Sequence, residues 1–174
     1  EPMGAEVGWP DDIHGLGVGV GDLNGDRLAD VVVGGSNRVF VGTGSGLREV
    51  AGLPAWPIHG DEDDVAGVAL GDVDRDGDAD VVLGQHFNST VDGGPRVPVR
   101  LFLNRSSAGG IDLVDVTDPA GSPGLWTKAP HVAIADVDAG GRADVVTSAV
   151  AADGTPVVLH NEGVTEGVPH FAVI

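Results

Sequence analysis

A segment of fourteen residues occurs three times in this chain. Gly21 to Gly34 (GDLNGDRLADVVVG) returns as Gly71 to Gly84 (GDVDRDGDADVVLG) and again as Ala135 to Ser148 (ADVDAGGRADVVTS). Repetition on this scale constrains the fold more than any local propensity, because each copy must fold alike and stack on its neighbour to bury a shared core. The leading aspartates, Asp22, Asp72 and Asp136, lie 50 and then 64 residues apart. The longer interval fits an enlarged loop in the second copy, Gln85 to Pro98 (QHFNSTVDGGPRVP), placed between strands.

The unit reads as β throughout. Valines sit in short runs bounded by Gly, Asp and Asn, and no stretch shows helical periodicity. Each copy divides into four strands with an acidic loop after the first. The first strand alternates tiny and branched residues: Gly17, Gly19 and Gly21 match Gly67, Ala69 and Gly71, then Ala133 and Ala135. Val18 and Val20 match Val68 and Leu70, then Val132 and Ile134. A nearly bare strand face suits the crowded innermost strand of a radial array. Second strands are expected at Ala29 to Val33, Ala79 to Leu83 and Ala143 to Thr147, and third strands at Val39 to Val41, Leu101 to Leu103 and Val157 to Leu159. Fourth strands are expected at Leu47 to Val50, Ile111 to Val116 and Phe171 to Ile174. The expected fold is all-β: three four-stranded antiparallel propeller blades in one module, at about 12–52, 63–117 and 129–174.

The acidic loops carry the chemistry. Counting from the leading aspartate, the first presents Asp22, Asn24, Asp26 and Asp30 at positions 1, 3, 5 and 9, with the Leu28 carbonyl at 7. The second presents Asp72, Asp74, Asp76, the Asp78 carbonyl and Asp80. Hard oxygen donors at alternate positions of a tight loop are what Ca²⁺ requires. An EF-hand begins similarly but needs a bidentate Glu at position 12 and a following helix; Val33, Leu83 and Thr147 stand there instead, within β-branched runs. The third loop is depleted, since Gly140 replaces the ligand at position 5 and leaves Asp136, Asp138, the Arg142 carbonyl and Asp144. With no cysteine in the chain, calcium is the expected staple. At a dissociation constant of roughly 10⁻⁴ M, millimolar Ca²⁺ would stabilise the fold by about 1.5 kcal/mol per site.

A formal charge of −18 with a single lysine, Lys128, argues against nucleic acid or anionic lipid as partner, since both need a basic surface. No apolar run reaches the roughly 18 residues of a membrane-spanning helix. No Ser/His/Asp signature or Gly-rich phosphate loop is present, so the chain is expected not to be an enzyme.

These loops, with VFVGTGSGL at Val39 to Leu47, LFLN at Leu101 to Asn104 and DVT at Asp115 to Thr117, resemble the FG-GAP/VCBS repeats of integrin-α-type β-propellers. The resemblance spans nearly the whole chain. It implies a secreted or cell-surface recognition scaffold for protein or glycan, with one calcium per intact loop and no catalytic residues. The alternative is a structural or accessory portion of a larger secreted protein or enzyme. Closed propellers use roughly four to eight blades, so three imply a piece of a larger propeller, a second copy of the chain closing a six-bladed ring, or a companion propeller segment that supplies the remainder.

A second repeated signal pairs Trp9 with His14, Trp56 with His59 and Trp126 with His131, each pair shortly before a first strand. The plain reading is that the tryptophans fill gaps between blades. The lectin-like alternative makes the six residues repeated sugar-stacking sites. His86, His160 and His170 show no metal-ligand spacing with one another, though a fold could gather some of them. Asp61 to Asp64 reads as a solvated connector, and Asn88 and Asn104 head sequences that match the N-glycosylation sequon.

Overall fold

The computed structural model describes residues 17–51, 64–86, 97–107, 110–121, 124–125, 131–150 and 156–174. Its strands in chain order are β1 (Val18–Gly21), β2 (Asp30–Val33), β3 (Arg38–Gly42), β4 (Leu47–Glu49), β5 (Asp64–Gly71), β6 (Asp80–His86), β7 (Val97–Pro98), β8 (Arg100–Asn104), β9 (Leu113–Asp115), β10 (Gly124–Leu125), β11 (Val132–Ala135), β12 (Asp144–Val150), β13 (Pro156–Thr165) and β14 (Val168–Val173). They form three four-stranded antiparallel sheets, β1-β2-β3-β4, β5-β6-β8-β9 and β11-β12-β13-β14. Among the described residues there is no helix, and the sheets make an open array of propeller-type blades.

Apolar packing lies between the sheets. One cluster joins Leu23, Val32 and Val39 of the first sheet to Val65, Val81, Leu83, Phe102 and Leu113 of the second. The other joins Val73, Val82, Val99, Leu101 and Leu103 of the second to Val145, Val157 and Leu159 of the third. The period-2 alternation of each strand puts one apolar set on each face, and a sheet used on both faces needs a neighbour on both.

The bare face of the first strand is where blades meet, and β5 packs against both β1 and β11. A Cβ on Gly19 would lie 2.6 Å from Val68 Cγ1, one on Gly21 would lie 2.9 Å from Leu70 Cδ1, and one on Gly71 would lie 2.9 Å from Ile134 Cγ2. The branched residues of each blade therefore occupy the space left by the missing side chains of the blade before it.

Three features depart from the sequence expectation. The last strand begins at Val168 rather than Phe171, because Glu166 and Gly167 both take left-handed φ values of 54° and 77°. Such a two-residue turn matches the strand twist and lets pairing run on to Thr165 and Val168. The enlarged loop of the second copy contributes β7, which pairs with β10 in a separate two-stranded ribbon. Asp64 of the acidic connector lies within β5, opposite His86.

Candidate metal centres in the blade loops

All three acidic loops wind the same way. Positions 4 and 6 are left-handed in each: Gly25 and Arg27, Arg75 and Gly77, Ala139 and Gly141. One of each pair is a glycine, which meets the conformation freely; Arg27, Arg75 and Ala139 carry a local cost of roughly 1–2 kcal/mol. The aspartate at position 1 offsets it. Asp22 accepts the N–H groups of Gly25, Asp26 and Arg27, Asp72 those of Arg75 and Gly77, and Asp136 those of Gly140 and Gly141. Position 3 accepts the N–H of position 5 through Asn24, Asp74 and Asp138. At position 5, Asp26 and Asp76 accept the N–H of Leu28 and Asp78. Gly140 has no side chain to do so.

The aspartate at position 9 is fully buried in all three blades. One oxygen of Asp30, Asp80 and Asp144 accepts the N–H of loop position 2, from Leu23, Val73 and Val137. The other accepts an N–H at the third strand, from Gly42, Asn104 and Asn161. Each therefore ties its loop to two strands. In the second and third blades that third-strand residue is an asparagine whose amide donates both to its own blade and to the blade before: Asn104 to Ala79 O and Leu23 O, Asn161 to Ala143 O and Val73 O, at 2.9–3.1 Å. Asn104 heads a sequon, but its side chain is buried in these bonds, so it is no sugar acceptor in this fold.

In the second loop, oxygens of Asp72, Asp74 and Asp80 all lie within 4.8 Å of one another. That spacing fits a single ion at about 2.3–2.6 Å from each, and a carboxylate with roughly four lone-pair sites can ligate while accepting N–H groups. Burial pushes the Asp80 carboxyl up to about 7; the N–H groups of Asn104 and Val73 oppose the rise, and the charges of Asp74 and Asp76 add to it. Arg105 supplies the local cation. Its guanidinium meets Asp74 at 2.8 Å and Asp76 at 2.5 Å, and donates to the Gly167 carbonyl of the third blade at 3.0 Å.

The third loop gathers a different set, Asp138, Asp144 and His160. His160 Nδ1 lies 3.1 Å from Asp144 and 3.8 Å from Asp138. Burial acts to raise the Asp144 carboxyl, but the N–H groups of Asn161 and Val137, together with His160, outweigh it and hold the group below its ordinary value. A nitrogen donor suits transition metals better than calcium, and the His160–Asp144 contact accounts for this cluster without an ion. The Arg142 side chain turns to the Asn161 carbonyl at 2.6 Å. Between loops two and three lies an open cleft of about 490 Å³ lined by Asp72, Arg75, Asp76, Asp136 and Arg142.

Sequence reasoning gave no role to Arg105 or Asn161, named His160 only among histidines that a fold could gather, and named Asn104 only within LFLN and as the head of a sequon. The only linear trace is the asparagine that follows the apolar run of the third strand in copies two and three, Asn104 after Leu103 and Asn161 after His160, where copy one has Gly42. Of the tryptophan and histidine pairs, His131 is exposed and exchanges two bonds with Ser148. Trp9, His14, Trp56, His59 and Trp126 lie outside the described residues, as do Asn88 and residues 61–63.

Residues 22–83, from the first acidic loop into β6, match the family model for the FG-GAP-like repeat. No curated protein matches the chain at a significant level. That segment holds the first acidic loop, β2 to β5 and the start of β6, and over it the chain is similar to the FG-GAP-like repeat.

Proposed function

We propose that the chain is a non-catalytic, extracellular, calcium-binding propeller module that recognises a protein or a glycan. The observation that carries this reading is the convergence of Asp72, Asp74 and Asp80 on a space the size of one hard cation. In loop one Asp22, Asn24, Asp26 and Asp30 with the Leu28 carbonyl would hold one ion. In loop two Asp72, Asp74, Asp76 and Asp80 with the Asp78 carbonyl would hold another. The ions would cross-link strands in a chain without disulfides, at the millimolar calcium of the extracellular medium. Loop three, with Gly140 at position 5 and an imidazole against its carboxylates, is assigned no calcium. The cleft between loops two and three, lined by side chains of both signs, is the surface offered to a polar ligand.

Calorimetric titration of chelator-treated protein with Ca²⁺, paired with thermal melts, tests the metal. Two ions bound per chain and a melting temperature raised by millimolar Ca²⁺ are expected. Identical melts in Ca²⁺ and EDTA, with no binding heat, overturn the reading.

A further inference from the structure

The two junctions between blades repeat one pattern, and the ends of the array carry its unmated halves. At each junction branched residues of one first strand, Val68 and Leu70 or Ile134, fill the space above tiny residues of the preceding one. The apolar residue at loop position 2 of the earlier blade, Leu23 or Val73, is buried in the process. On the open face of the third blade Ala133 and Ala135 are exposed, and Val137, the counterpart of Leu23 and Val73, is 49% exposed. On the opposite face of the array Val18 and Val20, counterparts of Val68 and Leu70, are 54% and 61% exposed.

We propose that a second copy of the chain docks head to tail, with Val18 and Val20 seated on Ala133 and Ala135 and covering Val137. Two such contacts close a ring of six sheets, within the roughly four to eight blades of closed propellers. The occupant follows from the chain itself: the exposed knobs and the exposed bare face are the two sides of a contact already made twice within it. The new junction is weaker than the internal ones. Gly42 stands where Asn104 and Asn161 reach back to the preceding blade, and Val33 and Phe40, on the same face as Val18 and Val20, are already buried. Contact is therefore confined to the inner strands, and a micromolar dissociation constant is expected. The inference rests on the blade packing and is independent of calcium.

Sedimentation of the full chain from about 1 to 200 µM, in Ca²⁺ and in EDTA, reads the mass directly. A defined dimer is expected. A head variant (Val18→Asp with Val20→Asp) and a tail variant (Ala133→Glu with Ala135→Glu) should each weaken association by about tenfold or more, with melts confirming that both fold. Mixing the two should restore a heterodimer, because one unaltered head then meets one unaltered tail. A wild-type chain monomeric throughout, association indifferent to both variants, failure of the mixture to recover, or open-ended polymers would each overturn the proposal.

Discussion

Loops two and three share a backbone path, a buried aspartate and equivalent N–H donors to it, yet they shift that aspartate's carboxyl in opposite directions. Asp80 sits among Asp72, Asp74 and Asp76, and its carboxyl is pushed up to about 7, first by burial and then by like charge. Asp144 has lost the neighbour at position 5 to Gly140 and gained His160 at 3.1 Å, and its carboxyl is lowered. The second loop draws its internal cation from Arg105, which pairs with Asp74 and Asp76. The contrast shows how one loop geometry yields either a cluster of three carboxylates that could hold a metal ion or one in which an imidazole joins two carboxylates. What changes is which charged side chains the third strand brings to it.

The largest test of the contrast removes the buried carboxylates. Asp144→Ala orphans two buried N–H groups and should cost about 2–5 kcal/mol at pH 7.5. Asp80→Ala should cost less, because it also removes a charge that burial disfavours; urea melts of the pair decide. Equal losses would break the account.

Asp80 keeps its proton in the folded state up to about 7, while the unfolded chain loses it near its ordinary value. In EDTA, folding stability should therefore fall by about 2–4 kcal/mol as pH rises from roughly 4 to 7. Asp144 has the opposite sign: its contribution is present above the ordinary carboxylate value and is lost as pH falls through its lowered one. Asp80→Ala should flatten the neutral limb of a stability-versus-pH curve, and Asp144→Ala should leave it in place.

Two side chains give smaller effects. Arg105→Gln leaves the buried Asp74 carboxylate without its partner and should lose about 1–3 kcal/mol in EDTA. Millimolar Ca²⁺ should recover that loss, and the calcium-induced rise in melting temperature should exceed that of wild type, since no guanidinium competes. His160→Gln should cost only about 0.5–1 kcal/mol, with acid unfolding beginning at a higher pH because Asp144 loses a group that lowers it. A calcium response in the third loop gained by that variant would redraw the boundary between the two loops.

Much of the blade was legible in the chain because strand periodicity is local. Val18 and Val20 alternate with Gly19 and Gly21, and a period of two assigns the faces without any knowledge of neighbours. The acidic loop positions were legible for the same reason, at odd positions within nine residues. Arg105 and His160 were not, because what places them is register. Arg105 reaches Asp74 across 31 residues of sequence, and that distance is closed only by the pairing of β6 with β8. The left-handed Arg27, Arg75 and Ala139 were hidden as well, since in each loop the glycine marks one bend and leaves its partner unmarked.

The sequence by itself determined the repeat, the all-β blade, the bare inner face and the oxygen-rich loops, all patterns that recur within a few residues of each other. The tertiary structure decided which charged partner meets each of the second and third loops, which polar groups bridge blades, and which faces stay open. Those outcomes depend on the side chains that distant strands bring together, and burial makes each such meeting of charges far stronger than it would be in water.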